Sequence, residues 1–301
     1  MYVDFPSVWR YFKDYISASG GGVFELKKAL DWSVWYAAKW WREVREAGAA
    51  NLKNPFVKAL YTALRARGII DDEGRVKKEV SRPEMPKGLY AREWVEMHKN
   101  FDEIGAVKVA KDEADRNALD LFYSDIQIQG WHRIMVKAFL KAAGFTDGLR
   151  VLEPYSREGH LAVLIHDEYK PAAYLGYDPN PDYVQVAKSM APTAQFTAAP
   201  TTCHLTGTYD VAILVEKMQW MADPLYELEC IKKLLKRPGG LLLVAQPVAE
   251  SMPGYLAILS AIGARQVYTW REAENILKMR FKLAKRLIRT LPFYGAVFEN
   301  P

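Results

Sequence analysis

Two regimes of apolar spacing divide the chain. Up to about Val151 the hydrophobic residues recur at helical period, and after it short apolar runs alternate with amphipathic stretches. Residues 23–44 carry Phe24, Leu30, Trp32, Val34, Trp35, Trp40, Trp41 and Val44, which predicts a long helix behind a hinge at Ser19-Gly20-Gly21-Gly22. Asn54-Pro55 opens a second helix, with Asn54 as its cap, Phe56, Leu60, Tyr61 and Leu64 as its apolar face, and Gly68 as its end. Ile69 to Val76 then predicts a small hairpin, so helix, glycine and hairpin follow one another as in a winged helix. Ser81 to Gly88 breaks all periodicity and reads as a linker, residues 89–123 as helix with a loop near Gly105, and residues 126–143 as one continuous helix.

In the second regime, strands are expected at 150–153, 173–177, 195–198, 209–215, 241–246, 266–270 and 293–298. Helices are expected at 159–167, 181–190, 224–235, 255–262 and 271–287. That alternation predicts an α/β fold with a seven-stranded, mostly parallel, doubly wound sheet and an antiparallel member near one edge. The domain division expected is 1–88 (helical, winged-helix-like), 89–148 (helical linker and pocket lid) and 149–301 (Rossmann-like).

One stretch carries chemistry. Val151-Leu152-Glu153-Pro154-Tyr155-Ser156-Arg157-Glu158-Gly159 reads as a strand and a tight turn that leads into a helix, and Tyr174-Leu175-Gly176-Tyr177-Asp178-Pro179-Asn180 as a second strand ending in an acid. An acid there can hold both hydroxyls of a ribose while the turn lets backbone approach the ligand. Downstream, Tyr209-Asp210 through Glu216 is an apolar strand ending in another acid, and Leu234 to Val244 is a helix stop, Pro238-Gly239-Gly240, before a buried strand.

In that order these segments resemble the S-adenosylmethionine-dependent methyltransferases of the Rossmann-like type, over residues 122–301. The resemblance implies S-adenosylmethionine as cofactor. It implies that Glu153 lies near the methionine amino group and that the turn Tyr155 to Gly159, with Pro154 and Ser156, wraps the methionine portion. Asp178 would hold the ribose, Pro179 and Asn180 would border the adenine, and Glu216 to Trp220 would form the methyl-transfer face. The family usually carries glycine at three turn positions, here Tyr155, Arg157 and Gly159. Side chains at the first two are expected to force negative φ and to fill space beside the ligand. Either Tyr155 packs on the cofactor, or the pocket no longer takes it. The helical N-terminal half resembles, more loosely, that of small-molecule O-methyltransferases. There a His before a Trp after the fourth strand removes the substrate proton; here Met218 stands in that place beside Gln219-Trp220, and a thioether takes no proton. The remaining catalytic candidates are His132, Glu216 and Trp220, with His160 in the turn itself.

Bulk properties narrow the picture. Half the residues are hydrophobic, enough for a large core. No run of about 18 apolar residues predicts a membrane span, and Met1 to Pro6 shows no secretory pattern, so a cytoplasmic protein is expected. Cys203 and Cys230 lack the company a metal site needs and read as two reduced thiols. Frequent Lys, Arg and Glu fit a thermophilic source. The tryptophans of residues 23–44 lie on several helix faces, which predicts burial on several sides and a homodimer through the N-terminal helices. The function expected is methyl transfer to a small molecule or a protein side chain. The alternatives are an RNA- or DNA-directed enzyme, drawing on the +5 net charge and a basic helix from Arg271 to Arg289, and a degenerate, non-catalytic fold.

Overall fold

Helix α1 (Val23–Glu46) forms because its apolar residues are distributed around most of its girth, and almost every one of them finds a partner in the same chain. The computed structural model describes residues 23–290 and 292–301, with Pro6, Trp9 and Lys13 before them; the glycine hinge and the leader reading lie outside the described residues. Trp40 packs edge-on against Phe101 and stacks on His98, and its indole donates to Asp102, while Trp32 and Trp41 donate to the carbonyls of Glu84 and Gly74. The girth that suggested a dimer is thus covered within the chain by α2 (Pro55–Ala66), α3 (Leu89–Ile104), the short α4 (Ala106–Ala110) and the central helix α10 described below. Asn54 caps α2 as expected, accepting from the Val57 amide at 3.2 Å. The hairpin after Gly68 reduces to a single bridge between Ile70 and Val76.

The helix expected over 126–143 is two: α5 (Arg116–Ile128) and α6 (Gly130–Ala143). Gln129 is extended between them. Any side chain at Gly130 would lie 2.1 Å from the Tyr90 ring, so glycine is what lets α3 approach. Glu93 of α3 then accepts the Trp131 amide, capping the new start.

The sheet follows the order β3-β2-β1-β4-β5-β7-β6. It comprises β1 (Arg150–Pro154), β2 (Ala173–Asp178), β3 (Gln195–Ala198), β4 (Val211–Val215), β5 (Leu241–Gln246), β6 (Lys282–Ile288) and β7 (Tyr294–Glu299). All pairings among β1 to β5 are parallel; β7 runs antiparallel to β5 and β6, one place in from the edge. The helices of this half are α7 (His160–Glu168), α8 (Pro181–Met190), α9 (Pro224–Leu234), α10 (Pro253–Ile262) and α11 (Trp270–Lys278).

Three expectations are corrected here. The strand placed at 266–270 does not form, and the helix placed at 271–287 ends at Lys278, its second half being strand β6. The reason is Arg286, whose charge reads as solvent-facing in sequence. It is buried, giving two hydrogen bonds (2.6 and 2.7 Å) to Glu274, which Tyr294 also reaches. The basic helix behind the nucleic-acid reading is therefore absent: Lys278 pairs with Glu274 and Arg280 with Glu229.

The two cysteines are joined, not free: a short helical turn (Thr202–His204) packs on α9 and brings Cys203 onto Cys230 across 27 residues, with their Cα atoms 4.7 Å apart. Reduction is expected to lower stability by about 3 kcal/mol, the order given by loop entropy for such a closure. Urea unfolding with and without a thiol reductant measures it, and coincident curves would show that the link contributes nothing.

Apolar on every side and wholly buried, α10 joins the two regimes. Its amides at Gly254 and Tyr255 donate to the Ser33 hydroxyl of α1, which also meets His98 Nε2 at 3.1 Å. One core runs unbroken from α1 through α10 to α6.

Candidate active site

The turn after β1 is held in an unusual backbone path. Tyr155 has φ 55°, Arg157 47° and Gly159 81°. This overturns the expectation that side chains would force negative φ: the chain follows the left-handed path of three glycines, at roughly 1–2 kcal/mol for each non-glycine residue. Tertiary bonds impose it. The Ser156 amide donates to the Tyr177 carbonyl, the Arg157 amide to Asp178, and the Lys217 ammonium to the Tyr155 carbonyl. At Gly159 a side chain has no room, since a Cβ would lie 3.0 Å from that of Ala187 and 3.1 Å from the Phe196 ring. The Tyr155 side chain leaves the cleft for the core on the opposite face, against Tyr177, where burial pushes its hydroxyl up to about 12.

Three acids converge at the strand ends. Asp178, at the tip of β2, accepts from the Arg157 amide at 3.0 Å and the Asn180 amide at 2.8 Å. Burial raises its pKa, against the pull of those two amides. Asn180 caps α8 through Asp182, and Pro179 is exposed at the lip. Glu153, fully buried at the end of β1, takes the Tyr174 hydroxyl at 2.7 Å and lies 3.0 Å from the Lys217 ammonium. Glu216 follows β4 with φ 55°; its carboxylate accepts from Tyr255 of α10 at 2.9 Å and meets His132 Nε2 of α6 at 3.3 Å. Its carbonyl accepts from the Trp220 indole. His132 and Glu216 are thus brought together, as neither period nor motif suggested, while Met218 turns away into the opposite core.

The Arg157 side chain, in contrast, turns into the cleft. It is buried among three rings: Tyr123 of α5 at 4.1 Å, Tyr183 of α8 at 4.4 Å and Trp220 at 5.1 Å from the guanidinium carbon. It donates to the Tyr183 hydroxyl at 3.1 Å and lies 3.4 Å from Glu158. Lys217, Tyr255, Tyr123 and Tyr183 were all missed in sequence. Only the position of Lys217, beside Glu216, could have drawn notice.

Several buried polar atoms around this cleft have no partner: Ser156 Oγ, Gln127 Nε2, His160 Nε2 and Glu216 Oε1. Burial also lowers the His160 pKa. Unmet groups of this kind are costly unless a ligand meets them. Gln127, His132, His160 and Lys217 line a narrow gap beside the turn. Among the described residues, no cluster of His, Cys, Asp and Glu could hold a metal ion, and no helix is long and apolar enough to cross a membrane.

The sequence matches a family model described as a methyltransferase domain over residues 128–288. No curated protein matches. Among solved structures, the CurJ carbon methyltransferase aligns with 98% of this chain and 96% of its own, at 13% identity and a TM-score of 0.59. An O-methyltransferase family 2 protein from Planctomyces limnophilus, in complex with apigenin, aligns over 95% of both chains at 11% identity and a TM-score of 0.52. Identities this low show a shared fold alone.

Proposed function

Because the chain belongs to the S-adenosylmethionine-dependent methyltransferases of the Rossmann-like type, with S-adenosylmethionine as cofactor, we propose that it methylates a small-molecule acceptor held at the end of β4. The observation that carries this reading is the Glu216–His132–Tyr255 cluster, which is almost wholly enclosed beneath α5, α6 and α10. Such enclosure favours a small molecule, since a protein side chain or a nucleotide on its polymer would need a wider mouth. Of the two structures that align along the whole chain, the one in complex with apigenin is in keeping with a small-molecule acceptor.

The residues fit the cofactor. Asp178 would accept the ribose hydroxyls, its two backbone donors leaving free lone pairs on each oxygen. Glu153 would serve the methionine amino group, Pro154 to Gly159 would wrap the methionine portion, with Ser156 and His160 offering their unpartnered atoms, and Pro179 with Asn180 would border the adenine. S-adenosylmethionine supplies a methyl carbon already made electrophilic by its sulfonium. The protein's share is to align acceptor and methyl group, exclude water and take a proton. His132 Nε2 lies 3.3 Å from the Glu216 carboxylate, to which Tyr255 also donates, so the imidazole would be held in one orientation as it takes a proton. With Met218 turned into the opposite core, the proton acceptor is sought in this pair instead.

Methyl-labelled cofactor offered with mixed phenols, amines and activated methylene compounds, and separately with peptides and RNA, tests the acceptor class. Label is expected in the small-molecule fraction, and label confined to peptide or RNA would overturn the reading. For an acceptor found this way, Glu216→Gln is expected to lower kcat about 100-fold, the usual share of a positioned proton acceptor. Steady-state kinetics measures it, and an unchanged kcat removes the cluster from the chemistry.

A further inference from the structure

The Arg157 side chain lies across the cleft. Its backbone belongs to the turn, holding Asp178 through the amide, while its guanidinium is enclosed by Tyr123, Tyr183 and Trp220. These rings come from α5, from α8 just after Asp178, and from the segment after β4, and those elements bracket the proposed cofactor site. An aromatic box attracts a cation through the ring faces and is indifferent to which cation it holds. The cofactor's sulfonium is such a cation; the sulfur of the demethylated product is neutral. Lys217 repeats the arrangement at the other end, its ammonium resting 3.0 Å from Glu153, where the resemblance places the cofactor's own amino group.

We propose that Arg157 is an internal competitor for the cofactor, filling the Tyr123–Tyr183–Trp220 box until a sulfonium displaces it and refilling it once methyl transfer has removed the charge. The proposal rests on the cofactor site described above. It has a thermodynamic consequence: a ligand binding only the open form loses affinity by the fraction of molecules that are closed. The charged cofactor recovers part of that loss through the rings, whereas the neutral product recovers none. Arg157 therefore lowers both affinities by the same factor, while the ring faces favour the charged cofactor over the neutral product.

Isothermal titration of S-adenosylmethionine and S-adenosylhomocysteine into wild type and Arg157→Gly tests this without reference to turnover. Glycine suits φ 47°, so the variant also sheds backbone strain. Both ligands are expected to bind the variant about tenfold more tightly, with the preference between them unchanged. Tyr183→Phe keeps the ring and removes only the hydroxyl that Arg157 reaches, and is expected to give a severalfold gain for both ligands. It keeps the idea testable should the glycine variant fail to fold. Equal or weaker binding by the variants, with Asp178→Ala abolishing binding, overturns the competitor alone. Absence of binding in wild type and variants alike overturns the cofactor site and the competitor together.

Discussion

Asp178→Ala is expected to weaken binding of S-adenosylhomocysteine by at least about 100-fold. Two hydrogen bonds from ribose hydroxyls to a carboxylate are each worth about 1.5–3 kcal/mol, and about 1.4 kcal/mol is a factor of ten in affinity. The substitution also strips the Arg157 and Asn180 amides of their acceptor, loosening a turn whose left-handed residues depend on such bonds. Asp178→Asn separates the two effects, since its remaining carbonyl oxygen can still serve one amide. It is expected to keep the fold while losing most of the affinity. Calorimetric titration and thermal unfolding of both variants measure this, and undiminished binding in Asp178→Ala would remove the acid from the cofactor site.

Arg286→Met is expected to cost about 3–5 kcal/mol of stability, the usual penalty for stranding one partner of a buried ion pair. Glu274 lies 3% exposed between α11 and the sheet, and only Lys278 and Tyr294 would remain to it. Burial alone would raise its carboxyl, but the bonds from Arg286 and Lys278 outweigh that and hold its pKa at about 2 against an ordinary 4.5. A depressed folded value means that the pair contributes fully above about pH 4.5 and is lost as pH falls toward 2. The gap between wild type and variant is therefore expected to narrow below pH 4.5. Urea unfolding at pH 7 and pH 3 checks both statements, and a gap that ignores pH would show that packing, not charge, is what Arg286 contributes.

The parts legible in sequence were those whose signals are local. Val151-Leu152-Glu153, the acid after Gly176-Tyr177, and Pro238-Gly239-Gly240 each announce an element by their own composition, and the central strands stand where those signals put them. What escaped was decided by contacts distant in sequence. Strand β6 is rich in Lys, Arg and Leu, which suit a helix equally well, and only the buried acid on α11 makes Arg286 an inward residue. The break at Gln129 exists because a neighbouring helix needs the space that Gly130 leaves. Cys203 meets Cys230 through the packing of α9, a proximity no spacing reveals. Within the site, Asp178 was readable because its neighbours in the chain identify it. Lys217 on Glu153, and Tyr255 on Glu216, are tertiary pairings between residues 64 and 39 positions apart. The left-handed turn was misjudged for the opposite reason: local preference at Tyr155 and Arg157 is real, and it is overruled by bonds from Asp178, Tyr177 and Lys217.

The Ser33 hydroxyl that receives both leading amides of α10 ties α1 to a helix that covers the active site. A protein engineer wishing to alter acceptor preference by transplanting the helical cover onto another sheet would have to move α10 with it. Tyr255 would travel along, carrying its grip on Glu216, and the recipient would inherit part of the proton-handling apparatus together with the new cover.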